Sequence, residues 1–115
     1  MQARIWEFMT VREVREAFKK TKTVILPVGC VEQHGYHMPL STDSITSYEA
    51  AKRVSEKTGC LVAPILHYTY SGGMLPGTIN VSPHVTGMVI TDIINSLALQ
   101  GARNIILLFG HGGTE

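Results

Sequence analysis

One short stretch of the chain collects four side chains that can bind a metal ion. Glu32, His34, His37 and Asp43 all lie in the segment 29–43, which reads GCVEQHGYHMPLSTD and directly follows an apolar run. Side chains two residues apart in an extended chain point to the same side, so Glu32 and His34 can bind one ion together. The residue types and their spacing therefore predict a metal site.

Two further features complete a candidate ligand set. Gly35 and Pro39 allow the backbone to reverse, which can return Asp43 to the first two ligands. A second cluster, GHGGTE over 110–115, follows another apolar run and adds His111. Two carboxylates and two imidazoles form a mixed oxygen and nitrogen set that suits zinc, manganese or iron. The predicted ligands are Glu32, His34, Asp43 and His111.

Three motifs in a fixed order make the chain similar to a known family. They are E-Q-H-G-x-H-x-P-L-x-T-D at 32–43, P-G-T at 76–78 and G-H-G-G at 110–113. Together they resemble the creatininase family of metal-dependent amidohydrolases, and the resemblance extends over almost the whole chain from Ile25 onward. The first motif is highly specific, since many positions match at fixed spacing.

The resemblance implies an enzyme that hydrolyses a non-peptide C–N bond in a small cyclic or linear amide. Family members bind two divalent ions, which the aspartate at the position of Asp43 bridges. Such ions lower the pKa of bound water from about 15.7 to about 7, which gives hydroxide at neutral pH. Relatives are longer and continue past G-H-G-G to at least one more acidic ligand. The chain thus resembles the N-terminal half of the fold, and none of its residues is an obvious proton donor for the leaving nitrogen.

Two other functions fit the same residues. One is a non-catalytic metal-binding or assembly module, which keeps the ligands without the chemistry. The other is a hydrolase of the same family with a different substrate, for example a formamide or a modified peptide. The sequence does not choose among these substrates.

Four residues near the ligands are candidates for contacts with substrate or with a ligand. The spacing of His37 from His34 suits such a contact or a hydrogen bond that stabilises the turn, and we favour the contact. Ser71 borders a long irregular loop and can line a pocket, and Gly77 and Thr78 within the loop can shape that pocket through their backbone. A simple turn is the other interpretation of the loop.

Composition excludes several classes of protein. A chain of 115 residues with 44% apolar and 17% charged residues is typical of one globular domain, which we place at 1–115. A net charge of +1 gives no electrostatic reason to expect a nucleic-acid partner, and no apolar run approaches the roughly 20 residues of a membrane helix. Only two cysteines, Cys30 and Cys60, are present, which favours a reducing, cytoplasmic setting. A thiolate ligand at Cys30 is conceivable, but we expect a small buried side chain that only packs.

The order of helices and strands predicts an α/β fold. Capping boxes at 10–13 and 46–49 indicate helix starts, Gly59 and Gly101 indicate helix ends, and Ser82 with Pro83 indicates a third start. The predicted helices cover 10–20, 46–57 and 82–100, and the predicted strands cover 23–28, 61–66 and 105–109.

Apolar strands alternating with helices indicate a mainly parallel sheet between two helical layers, a three-layer αβα arrangement. Ligands gather beyond the carboxyl ends of such strands, which is where the two metal-binding motifs lie. We expect helix 82–100 to be largely buried and strand 105–109 to be buried on both faces. The chain ends six residues after that strand, so little remains to cover it, and we expect a homo-oligomer.

Overall fold

The computed structural model describes residues 1–35, 37–72 and 76–110. Strands and helices alternate along the chain after a short N-terminal strand and a 3-10 turn at Trp6–Phe8. The strands are β1 (Arg4–Ile5), β2 (Thr23–Val28), β3 (Leu61–Val62) and β4 (Asn104–Phe109), and the helices are α1 (Val11–Lys20), α2 (Thr42–Thr58) and α3 (Pro83–Gln100).

The strands form one sheet in the order β1-β3-β2-β4, and all three pairings between these four strands are parallel. The longest ladder joins β2 to β4 from Thr23↔Asn104 to Val28↔Phe109. This sheet confirms the predicted α/β class, although the two-residue strand β1 is too short to have shown a sequence pattern.

Helices cover both faces of the sheet. Successive residues of β2 point to opposite faces, so their contacts show which helix covers each one. On one side Val24 and Leu26 pack in the same core cluster as Phe18 of α1 and Leu97 of α3. On the other side Ile25 packs with Ala51 of α2. The three-layer αβα arrangement is therefore confirmed.

Helix α1 begins as its sequence predicts. The hydroxyl oxygen of Thr10 accepts a hydrogen bond from the backbone N–H of Glu13 at 3.2 Å, and the Glu13 carboxylate accepts one from the Thr10 N–H at 3.1 Å. This reciprocal pair satisfies two backbone donors that the first turn leaves open. Phe18 then points into the core.

Helix α2 begins four residues before its predicted start, so the predicted capping box at 46–49 is wrong. The N–H and hydroxyl of Thr42 both donate to the carbonyl of Pro39, at 3.2 and 2.5 Å, and this turn leads into the helix. The Thr46 hydroxyl donates instead to the Thr42 carbonyl at 2.9 Å, inside the helix. The predicted end at Gly59 is correct, with φ of 78°. The early start places Asp43 in the first helical turn.

Only the first two residues of the predicted strand 61–66 form a regular strand. Pro64 follows directly and has no N–H to donate to a neighbouring strand. The segment still runs beside β2, because the N–H of Ala63 donates to Ile25 O at 2.9 Å and that of Leu66 donates to Pro27 O at 3.0 Å.

Helix α3 and strand β4 are much more exposed than predicted. Within α3 only Thr86 and Leu97 are buried, whereas Leu99 is 89% exposed and Met88 56%. Strand β4 lies at an edge of the described sheet, and Ile106 is 47% exposed. The described residues cover one side of α3 and supply no layer for its other sides, so its apolar composition alone does not bury it. Neither α3 nor any other described helix is both long enough and apolar enough to cross a membrane.

Candidate metal centre

The candidate site lies where β2 ends and α2 begins. A Cβ atom on Gly29, the first residue after β2, would lie 2.4 Å from the Cα and 2.6 Å from the backbone nitrogen of Ser44. Only glycine therefore allows the end of the strand to approach the first turn of α2 this closely. The Thr69 hydroxyl holds the same point, since it donates to Gly29 O at 2.5 Å.

The buried side chains of Cys30, Glu32 and Asp43 converge beyond this contact, and one donor atom from each lies within 4.8 Å of the other two. The ring of His34 faces the same group. Its Nε2 atom lies 3.4 Å from Oδ2 of Asp43 and 3.7 Å from Oε1 of Glu32. Glu32 and His34 thus share one side of the segment, as their spacing predicts, and the turn brings Asp43 back to them.

The environment of His34 Nε2 fits a metal ion. This nitrogen is buried, and it has no hydrogen-bond partner among residues 1–35, 37–72 and 76–110. A buried polar atom without a partner is costly and needs an explanation. Two donors on one tetrahedral zinc ion lie about 3.3 Å apart, close to the separation of Nε2 from Asp43 Oδ2. The carboxylates of Glu32 and Asp43 and the imidazole of His34 also form a set of donors that can bind zinc or manganese.

The Asp43 carboxylate lies in the first turn of α2, where the N-terminus of the helix carries partial positive charge. The same carboxylate accepts a hydrogen bond from the Cys30 thiol, with 3.2 Å between Sγ and Oδ2. Burial raises the pKa of Cys30 well above its usual range, and the hydrogen bond to Asp43 and the charges of Asp43 and Glu32 raise it further. In the absence of a metal ion the thiol is therefore neutral.

Cys30 packs at the site, and its sulfur also contacts one of the predicted ligands. It is fully buried, as expected, but it also contacts the ligand cluster. A signal was present in the spacing, because Cys30, Glu32 and His34 alternate at every second position of an extended segment.

The segment that carries the ligands is held by backbone pairing on both sides. The N–H of Glu32 donates to Leu40 O at 3.1 Å, which closes the loop that leads to Asp43. Val31 pairs with Ile79 in an antiparallel bridge, with an N···O distance of 2.9 Å. The long loop around 76–80 is therefore a support for the candidate site.

The four residues predicted to contact substrate or a ligand differ in their exposure to solvent. His37 is exposed, whereas Ser71 and Thr78 are buried. The N–H of Ser71 donates to Oδ1 of Asn80 at 2.8 Å. Gly77 has φ of 91°, a conformation that favours glycine.

His111, the fourth predicted ligand, lies outside the described residues, and the last described residue before it packs against Asp43. The N–H of Gly110 donates to Val28 O at 2.8 Å. A Cβ atom on Gly110 would lie 2.0 Å from the carbonyl oxygen of Asp43. The carboxyl end of β4 therefore reaches the candidate site.

Comparison with known proteins identifies the family of the chain. The family model described as creatinine amidohydrolase matches residues 7–115. Creatinine amidohydrolase of Pseudomonas putida is 39% identical over 95 residues, which cover 76% of this chain and 36% of that protein. A 3-dehydro-scyllo-inosose hydrolase of Thermotoga maritima is 35% identical over 111 residues, which cover 93% of this chain and 35% of that protein.

Solved structures give the same result. A mutant creatininase superposes with a TM-score of 0.89 at 34% identity, covering 96% of this chain and 46% of that one. Two further creatininase structures, a manganese form and a mutant of Zn–Zn type, each give a TM-score of 0.85. The chain spans 36% and 35% of the two sequence relatives and less than half of these solved chains. The chain belongs to the creatinine amidohydrolase family.

Proposed function

We propose that this chain forms the metal-binding part of a hydrolase that cleaves the C–N bond of a small cyclic or linear amide. The observation that carries the proposal is the buried Nε2 of His34, which faces the carboxylates of Glu32 and Asp43 and has no hydrogen-bond partner among the described residues. Membership of the creatinine amidohydrolase family supports the hydrolytic reaction.

The residues that would hold the metal are those with converging donors, together with one ligand from the second motif. Glu32, His34, Asp43 and His111 are the residues that would hold two divalent ions. The manganese and Zn–Zn forms among the similar creatininase structures support a two-ion site that accepts either metal, and iron suits the same donors.

Divalent ions held by these residues would supply Lewis acidity, which would polarise the amide carbonyl and make a water molecule a better nucleophile. The protein contributes charge and shape. Glu32 and Asp43 are both buried, so solvent screens their negative charges only weakly, and these charges would offset the positive charge of the ions. His37, which is exposed and follows His34 by three residues, is our candidate for a substrate contact, and we assign Ser71, Gly77 and Thr78 to the adjoining wall.

The test is metal content after dialysis. We expect the double variant His34→Ala, Asp43→Asn to lose its bound metal, whereas the control Glu49→Gln should retain it. Glu49 is a suitable control because it is an exposed carboxylate of the same helix, paired with Lys52 at 2.8 Å. Equal metal content in the wild type and the double variant would contradict the proposal.

Two alternatives each have an observation in their favour. A mycofactocin precursor peptide peptidase of Mycolicibacterium smegmatis is 32% identical over 107 residues, which favours a modified peptide as substrate. A non-catalytic metal-binding module is the other alternative, because the converging donors of Cys30, Glu32 and Asp43 could hold an ion without any turnover of substrate. Turnover assays with creatinine and with a short amidated peptide distinguish the three functions, since the module would hydrolyse neither compound while still binding metal.

A further inference from the structure

We propose that Cys30 is an additional donor at the metal centre, so that the site combines sulfur with oxygen and nitrogen ligands. This inference rests on the proposed function, because it requires that the site bind a metal. It adds a residue to the predicted ligands, and it assigns to that residue a preference for softer ions.

The first argument is position. Cys30 is fully buried, and its sulfur belongs to the group of three donors that lie within 4.8 Å of one another. Cys30, Glu32 and His34 alternate along one extended segment, so the side chain of Cys30 faces the site for the same geometric reason as the other two. The Cys30 sulfur therefore lies next to the donor atoms of the predicted ligands.

The second argument is distance. The Cys30 Sγ atom lies 3.2 Å from Oδ2 of Asp43, the same oxygen that lies 3.4 Å from Nε2 of His34. Sulfur and oxygen donors of one tetrahedral zinc ion lie about 3.5 Å apart. A shift of a few tenths of an ångström would thus convert the hydrogen-bonded thiol into a ligand, with release of the thiol proton to solvent as the sulfur–metal bond forms.

The consequence is metal selectivity. Thiolate sulfur is a soft donor that suits zinc and cobalt, whereas carboxylate oxygen suits manganese. A site with Cys30 as a ligand should therefore prefer zinc to manganese more strongly than the same site without the sulfur. If the thiol only donated a hydrogen bond to Asp43, its removal would weaken both metals to a similar extent, by about 10-fold to 100-fold.

Cobalt substitution tests the sulfur–metal bond directly, because cobalt bound to thiolate absorbs through sulfur-to-metal charge transfer. We expect this absorption in the full 115-residue wild-type chain and its loss in Cys30→Ser and Cys30→Ala, both of which should still bind cobalt. Cys60→Ala is the matched control. Cys60 is also buried, but it lies at the amino end of β3, whereas the site lies beyond the carboxyl end of β2, so the variant should keep the wild-type spectrum.

Competition between zinc and manganese gives a second measurement. We expect the ratio of the two affinities to fall by about tenfold or more in Cys30→Ser, and not in Cys60→Ala. Charge-transfer absorption that persists without Cys30, its absence from cobalt-loaded wild type, or an unchanged affinity ratio would overturn the proposal. Retained metal without a sulfur signal would overturn this inference alone, whereas a wild type that binds no metal would overturn the proposed function as well.

Discussion

The hydroxyl oxygen of Thr78 accepts a hydrogen bond from the backbone N–H of Gln33 at 2.9 Å, across 45 residues of sequence. Gln33 is the residue between Glu32 and His34, so this bond orients the two candidate ligands together. Thr78 is buried, and the neighbouring pair Val31↔Ile79 reinforces the contact. The P-G-T motif thus contributes to the site by positioning the ligand-bearing backbone.

We predict that Thr78→Val weakens metal binding and that the separate variant Thr78→Ser retains it. Valine matches the shape of threonine but cannot accept the bond from Gln33, whereas serine can. Loss of a supporting contact of this kind costs about 10-fold to 100-fold in metal affinity. Metal titration followed by calorimetry measures the effect, and equal affinities for Thr78→Val and wild type would refute it.

Gly29→Ala should destabilise the fold strongly. The added methyl group would overlap the backbone of Ser44, which cannot move without shifting α2 from the sheet. Overpacking of this kind costs about 1–3 kcal/mol or more. The control is Gly87→Ala, since a Cβ at Gly87 meets nothing within 4 Å and alanine is preferred in a helix by about 0.5–1 kcal/mol. Urea denaturation should separate the two variants, and an equal free energy of unfolding would show that the contact with Ser44 is unimportant.

We predict that the 115-residue chain self-associates through α3 and the edge of β4. Met88 and Leu99 are exposed, and the outer edge of β4 has no partner strand within the described sheet. The double variant Met88→Lys, Leu99→Lys should lower the average mass in sedimentation experiments. Val54→Lys, a change at an exposed apolar position of α2 on the opposite face, should leave it unchanged. A monodisperse wild-type monomer would contradict the prediction.

The phenol of Tyr48 should stabilise the fold only below strongly alkaline pH. Burial raises the pKa of Tyr48, followed by its hydrogen bond to Glu7 at 3.1 Å and by the charges of Glu7 and Glu49. A raised pKa means that the folded state favours the neutral phenol. The stabilisation is therefore fully present below the unfolded pKa of about 10 and is lost as pH rises through the folded value.

Tyr48→Phe tests this dependence. It should lower the free energy of unfolding by about 1 kcal/mol near pH 8, the typical contribution of one hydrogen bond, and the difference should shrink above about pH 10. Tyr68→Phe, a change at an exposed tyrosine, is the control. A difference for Tyr48→Phe that stays constant from pH 8 to pH 11 would contradict the assignment.

Local sequence was sufficient where the interaction itself is local. The capping box of Thr10 with Glu13 identified the start of α1, and Gly59 identified the end of α2. Alternation in an extended chain placed Glu32 and His34 on one side, as the structure has them. These features depend on residues a few positions apart, so their sequence spacing determines their geometry.

Contacts between distant segments decided the rest. Residues 42 and 46 are both acceptable starts for α2 by sequence. The structure has the earlier start, together with the turn at Pro39 and the close approach of Gly29 to Ser44. This start brings Asp43 to His34. The exposure of α3 depends on which layers cover it and not on its composition. The sequence by itself determined that three helices alternate with three strands and which residue types the site contains, but it did not determine the start of α2, the length of β3 or the presence of β1. Only the tertiary structure decided that the Cys30 thiol meets Asp43, because that contact requires a strand end and a helix start to meet in space.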